Sequence, residues 1–257
     1  MENKVKNVIK MMKRLRGKNG CPWDNEQTIA SLKPYIIEEA FEVVEAIEKK
    51  NYEKIKEELG DLLLQIVFVS QIASEKGLFD INDVSDAICQ KMVRRHPHIF
   101  GTVKVSSARD VTVNWNKIKV EEENPSASIL EGIPKTLPAL LKAHKVSYKA
   151  SAVGFDWNNH NEVMEKIKEE LNELNEAIND NEKSKIEEEI GDLLFSVVNL
   201  ARFKGINSEI ALRKTISKFK KRFKHIEDEL AKANRKTWDA TLDEMENLWN
   251  EAKTLDK

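Results

Sequence analysis

Apolar positions recur along this chain in long runs at helical spacing, separated by short polar breaks. A charged helical pattern covers residues 2–16 and ends near Gly17. A polar loop with Gly20, Cys21, Pro22, Trp23 and Asp24 follows. Ser31 stands where a helix N-cap belongs, and Pro34 falls in the first turn, where a missing N–H costs little. That helix is expected to run to about Lys50, and Asn51 and Tyr52 turn the chain. A second long helix is expected over about 53–76, stopped by Gly77, and a third over 81–95, ending before Pro97. Residues 97–109 read as polar and irregular, with a short helix through Trp115 to Glu122.

Residues 123–136, with Pro125, Ser126, Ser128, Gly132 and Pro134, have linker composition. Beyond them the plan repeats: helices at about 138–150, 160–180, 182–204, 207–232 and 241–253, with a Gly154-Phe155-Asp156-Trp157 loop matching the earlier Pro-Trp-Asp segment. The expected fold is all-α, a tandem duplication of four-helix-bundle-like domains over residues 1–122 and 137–257.

The repeat is sharpest in its acids. Glu38, Glu39 and Glu42 are followed by Glu58 and Asp61; Glu169, Glu170 and Glu173 are followed by Glu189 and Asp192, each 131 positions after its counterpart. Residues three and four apart share a helix face. Glu39 and Glu42 are therefore neighbours, as are Glu58 and Asp61, and a short turn packs the two helices antiparallel. Glu170, Glu173, Glu189 and Asp192 are expected to converge in the same way.

Four carboxylates brought together repel and lose water. A divalent cation relieves that cost, and all-oxygen ligands select Mg²⁺, with Mn²⁺ as a possible substitute, over zinc. Mg²⁺ commonly takes its remaining ligands from water and substrate phosphates, which makes a phosphate ester or anhydride the natural substrate. Gly60 and Gly191 each sit one residue before the last acid of their set. Glycine inside a helix costs roughly 1 kcal/mol relative to alanine, so its presence at both places points to close approach by a neighbouring helix or a ligand. The competing reading is a solvated helix face, since charged residues make up 33% of the chain.

A bound polyphosphate also needs cations. Lys218 and Arg222 lie four apart downstream of the second acid set, and Lys91 and Arg95 hold the matching place in the first half. Lys54 and Lys185 stand one turn before Glu58 and Glu189. Lys166 stands one turn before Glu170, where the first half has Tyr35. Trp115 with Lys119, and Trp249 with Lys253, form a repeated pair that serves either as base platforms or as core anchors. The basic run 214–224 also fits a solvated face or a nucleic-acid contact. His96 and His98 fit a loop or cap role better than a metal site.

Composition narrows the setting. The chain has 257 residues, 40% of them hydrophobic, with a formal net charge of −2, so bulk electrostatics argue neither for nor against a polyanion partner. Two cysteines make no disulfide framework or CxxC zinc pattern, which fits a reduced cytoplasmic location. No signal-peptide pattern and no apolar run of membrane-spanning length is seen, so no membrane partner is expected. Walker-type phosphate loops, HExxH and GxGxxG are absent, and the acids lack the ExxH partner of di-iron bundles.

Taken together, the EExxE…ExxD pattern with Gly-Asp-Leu-Leu, the Gly20–Asp24 segment, Arg94-Arg95-His96-Pro97-His98, Val153–Trp157 and Phe219-Lys220-Lys221-Arg222-Phe223 resemble the two-domain bacterial MazG nucleoside triphosphate pyrophosphohydrolases. The resemblance implies hydrolysis of nucleoside triphosphates, NTPs or dNTPs, to the monophosphate and pyrophosphate with Mg²⁺, in a helical subunit that forms a homodimer. It implies Glu170, Glu173, Glu189 and Asp192 as metal ligands, with Glu39, Glu42, Glu58 and Asp61 matching in the first half. Lys166, Glu169, Lys185, Glu188, Asp192, Lys218, Arg222 and Trp249 would line the nucleotide site, and nucleic acid is not an expected partner. Glu169 (or Glu38 in the first half) is placed to orient or deprotonate a water, unless it merely faces solvent. Tyr35 leaves open whether the first copy hydrolyses or only binds. A narrower pyrophosphohydrolase acting on dUTP, or a nucleotide- or metal-sensing scaffold without turnover, would carry much of the same pattern.

Overall fold

The computed structural model describes residues 4–122 and 128–255, apart from the side chains of residues 109 and 120. Residues 2 and 3 of the expected first helix and residues 123–127 of the expected linker, Pro125 and Ser126 among them, lie outside the described residues. Among the described residues the structure is twelve α-helices and one short 3-10 turn, with no strand.

Two compact units divide the chain, Met1–Trp115 and Asn116–Lys257, and the division falls within α7 (Ala108–Glu122). The described part of the expected linker, residues 128–136, is turns and irregular chain.

The first unit is organised by an antiparallel pair, α3 (Lys33–Glu48) and α4 (Tyr52–Glu75), with α1 (Lys4–Leu15) against α4 and α5 (Ile81–Arg95) beyond it. Met12, Leu32, Val67, Phe68 and Ile72 form its core. Full burial of such side chains stabilises by roughly 1.5–3 kcal/mol each. Truncation of Ile72, 1% exposed, to alanine is therefore expected to cost about 2–5 kcal/mol. In the second unit, α9 (His160–Asn179) and α10 (Lys183–Phe203) make the corresponding pair. There α8 (Ala139–Ala152) packs on α10 and α11 (Ser208–Lys232), and α12 (Leu242–Leu255) packs on α11.

Both hairpins turn by the same backbone device. Lys50 and Asn181, equivalent in the repeat, take φ of 53° and 55°. The next amide in each case bonds back into the helix, Asn51 N–H to Ala46 C=O at 3.1 Å and Glu182 N–H to Ala177 C=O at 3.3 Å. This is a left-handed helix ending, and asparagine tolerates it better than lysine. Asn51 then caps α4 by accepting from the Lys54 N–H at 3.2 Å, whereas Glu182 gives α10 no side-chain cap.

Three expectations are corrected. Ser31 is not the N-cap of α3: Leu32 holds that place, and Ser31 instead trades hydrogen bonds with Thr28 in the preceding turn, at 2.9 and 3.1 Å. The loop at Pro22 contains a short helix, α2 (Pro22–Glu26), and the stretch after Arg95 another, α6 (Pro97–Phe100). Proline opens both, its fixed φ suiting a first helical turn.

One buried arginine in each unit ties the loop ahead of the hairpin to the core. Arg16 donates to Glu75 through Nε at 2.9 Å and Nη2 at 2.7 Å, and to the carbonyls of Asp24 and Gln27. Arg202 on α10 clasps Asp156 bidentately and donates through Nε to Asn199 Oδ1 at 3.0 Å. These forks explain why the Glu75 and Asp156 carboxyls are held below the ordinary range: in each case the arginine hydrogen bond is the largest cause.

Candidate functional site

The acids converge where the hairpins bring their helices together. In the first unit α3 supplies Glu39 and α4 supplies Glu58 and Asp61, one carboxylate oxygen from each lying within 4.8 Å of the others. Glu58 is 6% exposed and accepts from Lys54 Nζ at 2.9 Å. Glu42 is exposed and outside that triad, yet the charge of Glu58 is the main cause of its raised carboxyl pKa. The Glu39 carboxyl is also raised, first by burial and then by the charges of Asp61, Glu42 and Glu58.

In the second unit Glu170 and Glu173 from α9 meet Glu189 from α10 within the same 4.8 Å. Glu170 is 5% exposed and accepts from Lys166 Nζ at 2.9 Å, which also donates to Glu169 Oε1 at 2.7 Å. Those two carboxylates hold the Lys166 ammonium well above its ordinary range. Burial, then a hydrogen bond with Glu170, then the charge of Glu189 raise the Glu173 carboxyl. Asp192 is exposed and outside the triad. Each unit thus gathers the pair 39/58 or 170/189 and adds a different third member, Asp61 in one and Glu173 in the other.

The donor set fits a hard divalent cation. Three carboxylates with one lysine leave each cluster a net negative charge of about two. The raised carboxyls of Glu39 and Glu173 register burial first and then the neighbouring negative charges that a cation would offset. Gly60 and Gly191 have open space where a Cβ would stand, so no neighbouring helix of their own unit accounts for them. Of the two approaches expected at these glycines, the one by a packed helix of the same unit is excluded.

The basic group lies on separate elements. Arg222 on α11 stacks over Trp249 on α12 at 5.6 Å, and Phe219 meets the same ring at 4.9 Å. In the first unit Arg95 stacks over Trp115 at 5.4 Å, with His96 edge-on at 5.0 Å. Each tryptophan therefore holds its arginine in place. Lys218 is exposed on α11, Glu188 is exposed on α10, and Lys185 is half-buried there. Neither lysine forms an ion pair with the triad among the described residues.

Sequence reasoning passed over one feature. An open cleft of about 470 Å³ adjoins the second triad, lined by Trp157, Asn159, Asn161, Glu162, Glu165, Lys166 and Glu169. The signal was present in the Gly154–Trp157 loop, but the choice between base platform and core anchor was weighed only for Trp115 and Trp249.

A profile of the MazG nucleotide pyrophosphohydrolase domain matches the chain twice, over residues 27–100 and 158–227. The chain belongs to the MazG family. Both matches contain a whole acid set and its hairpin, and Lys91, Arg95, Lys218 and Arg222 fall inside them, whereas Trp115, Trp157 and Trp249 fall outside. As a MazG protein it is a hydrolase carrying its domain in tandem. The Escherichia coli K12 protein named nucleoside triphosphate pyrophosphohydrolase is 42% identical over 258 residues, covering 98% of this chain and 97% of that one. The Thermotoga maritima nucleoside triphosphate pyrophosphohydrolase/pyrophosphatase MazG is 45% identical over 251 residues, covering 97% and 96%. Bacillus subtilis YabN, described as uncharacterized, is 45% identical over 249 residues, covering 96% of this MazG chain and 51% of its own length.

Proposed function

We propose that this MazG protein hydrolyses nucleoside triphosphates, NTPs and dNTPs alike, to the monophosphate and pyrophosphate with Mg²⁺, and that the second unit does the chemistry. The observation that carries this reading is the Glu170–Glu173–Glu189 triad with Lys166 locked against its buried member. Glu170, Glu173 and Glu189 would hold the cation. Asp192 would join them as fourth ligand, a reading supported by its equivalent Asp61, which lies within the first triad. Bound Mg²⁺, or Mn²⁺ in its place, supplies charge neutralisation on the phosphates and lowers the pKa of an attacking water.

The remaining residues position and neutralise. Glu169, exposed and tethered by Lys166, orients the water toward the α-phosphorus and accepts its proton. Oxygen bonds to the α-phosphorus as the bond to the bridging oxygen breaks, and pyrophosphate leaves with that oxygen. Lys185 and Lys218 take up charge on the leaving group, as does Arg222 held by Trp249. Glu188 borders the same nucleotide site.

We further infer a homodimer. The acid-bearing helices α3 and α9 pack mainly on one neighbour each. Large apolar side chains stay exposed around them, Ile47, Leu59 and Ile66 in one unit and, at the equivalent places, Ile178, Ile190 and Val197 in the other. A second copy would cover these and complete the bundle. A reduced cytoplasmic setting suits the two free cysteines. No described helix is long and apolar enough to cross a membrane.

Product analysis tests the chemistry. Incubation of each common NTP and dNTP with the protein and Mg²⁺ should release pyrophosphate and the monophosphate. Diphosphate plus orthophosphate as first products would overturn the reading, and turnover confined to dUTP would narrow it to a single substrate.

A further inference from the structure

We propose that the cleft at Trp157 is the nucleoside subsite of the second unit, with the Trp157 ring as the platform for the base. The inference rests on the proposed function for its ligand class, since it takes the triphosphate to be held at the neighbouring acids.

Continuity with the triad is the first argument. Lys166 lines the cleft and also pairs with Glu170, so one side chain belongs to both places. A nucleotide whose phosphates lie at the triad and Lys166 must extend its nucleoside away from them. Along α9 the cleft continues from Lys166 past Glu162, one turn or about 6 Å back, to Trp157.

Charge then decides which end of a nucleotide fits. Lys166 and Glu169 form the end of the cleft that faces the phosphates; beyond them its walls carry the carboxylates of Glu162 and Glu165, the latter paired with Lys168 at 2.9 Å, and the amides of Asn159 and Asn161. Phosphate is repelled by such walls, whereas a neutral nucleoside with hydroxyl and amino donors is not. An aromatic face next to carboxylates and amides suits a base and its sugar.

The platform is also preorganised. On one side of Trp157, Asp156 is clasped by the largely buried Arg202 and accepts from the Trp157 N–H at 2.9 Å. On the other, Glu162 accepts from the Asn158 N–H at 3.0 Å and from Asn159 Nδ2 at 2.9 Å. A backbone held on both sides of the ring leaves less freedom to lose when a base stacks there. Among the described residues the first unit differs at the matching place. Tyr35 stands in the place of Lys166 and packs against the core, with Trp23 edge-on to it at 5.9 Å and edge-on to Phe68 at 6.5 Å.

Calorimetric titration of the full-length protein with Mg²⁺ separates the two ends of the ligand. The probes are a non-hydrolysable α,β-methylene nucleoside triphosphate and inorganic tripolyphosphate. Trp157→Ala should weaken nucleotide binding about tenfold and leave tripolyphosphate binding unchanged, and Trp157→Phe should restore most of the nucleotide affinity. The proposal is overturned if Trp157→Ala leaves nucleotide binding as it was, if it weakens both probes equally, or if the wild-type protein binds the nucleotide no more tightly than tripolyphosphate. Loss of nucleotide affinity in Trp157→Ala, in a protein that releases no pyrophosphate from any NTP, would support the subsite and sink the hydrolysis instead.

Discussion

Lys166 pairs with Glu170 at 2.9 Å from one turn earlier on the same helix, and Glu170 is the buried acid of its cluster. In the first unit Lys54 pairs with Glu58 at 2.9 Å, and Glu58 is again the buried acid. The two pairs are not equivalent in the repeat. Glu170 corresponds to Glu39 and Lys166 to Tyr35, so the first unit cannot make the pair on α3 and makes it on α4. The second unit keeps both lysines, uses Lys166, and leaves Lys185 without an ion pair among the described residues. One lysine compensates the buried acid in each unit, and the second unit has one more cation to offer a triphosphate.

That difference orders the two sites. Glu173→Ala is expected to lower pyrophosphate release by at least about a hundredfold, because it removes a member of the triad. Glu42→Ala, outside the first triad, is expected to leave most turnover in place. The comparison is made in the same full-length protein with Mg²⁺. Abolished turnover in Glu42→Ala with normal turnover in Glu173→Ala would reverse the assignment.

Asp192 tests whether the second triad is complete. It is exposed, while Asp61 at the same repeat position lies inside its cluster. If ligand binding draws Asp192 in, Asp192→Ala should cost as much activity as Glu173→Ala while far-ultraviolet circular dichroism stays helical. Near-normal turnover in Asp192→Ala would confine the site to Glu170, Glu173 and Glu189.

Much of this was legible in the sequence because it depends on local rules. Helical spacing puts Glu39 beside Glu42 and Glu58 beside Asp61, and the short breaks at Lys50 and Asn181 fold each pair of helices back on itself. What was not legible depends on the packed molecule. Ser31 looked like a cap because its residue type allows it, but its hydroxyl accepts from the Thr28 N–H instead and the helix starts after Leu32. Which acid is buried, and therefore which lysine is taken up by it, is decided by neighbours on the other helix. The residue just before Trp157, Asp156, is held by Arg202, 46 residues away along the chain.

Gly191 offers a test that separates stability from function. Its position in α10 is open within its own unit. Gly191→Ala is therefore expected to stabilise the helix by up to about 1 kcal/mol and raise the melting temperature by about 2–4 °C. If a ligand or a second copy approaches this backbone, the same substitution should lower turnover or weaken the dimer. A more stable protein with unchanged activity and unchanged dimerisation would show that neither comes close to Gly191.

The first cluster predicts an unusual dependence of stability on pH. The Glu39 carboxyl is raised in the folded protein, by burial first and then by Asp61, Glu42 and Glu58. A folded pKa above the unfolded one means that the charged form opposes folding. The cost is present in full above the folded value, shrinks as pH falls through it, and is gone below the unfolded value. Glu39→Gln should therefore raise the melting temperature of the metal-free protein at neutral pH, by about 2 °C, and the gain should vanish in acid. Asp156, held below the ordinary range by Arg202, has the opposite sign, so its contribution is present above the unfolded value and is lost as pH falls through the folded one. Melting curves in a chelator across the acid range, repeated with Mg²⁺, check the Glu39 prediction. The cation should raise the wild-type curve at neutral pH more than that of Glu39→Gln. Equal wild-type and Glu39→Gln melting temperatures at neutral pH without metal would mean that solvent already screens the repulsion among Glu39, Glu58 and Asp61.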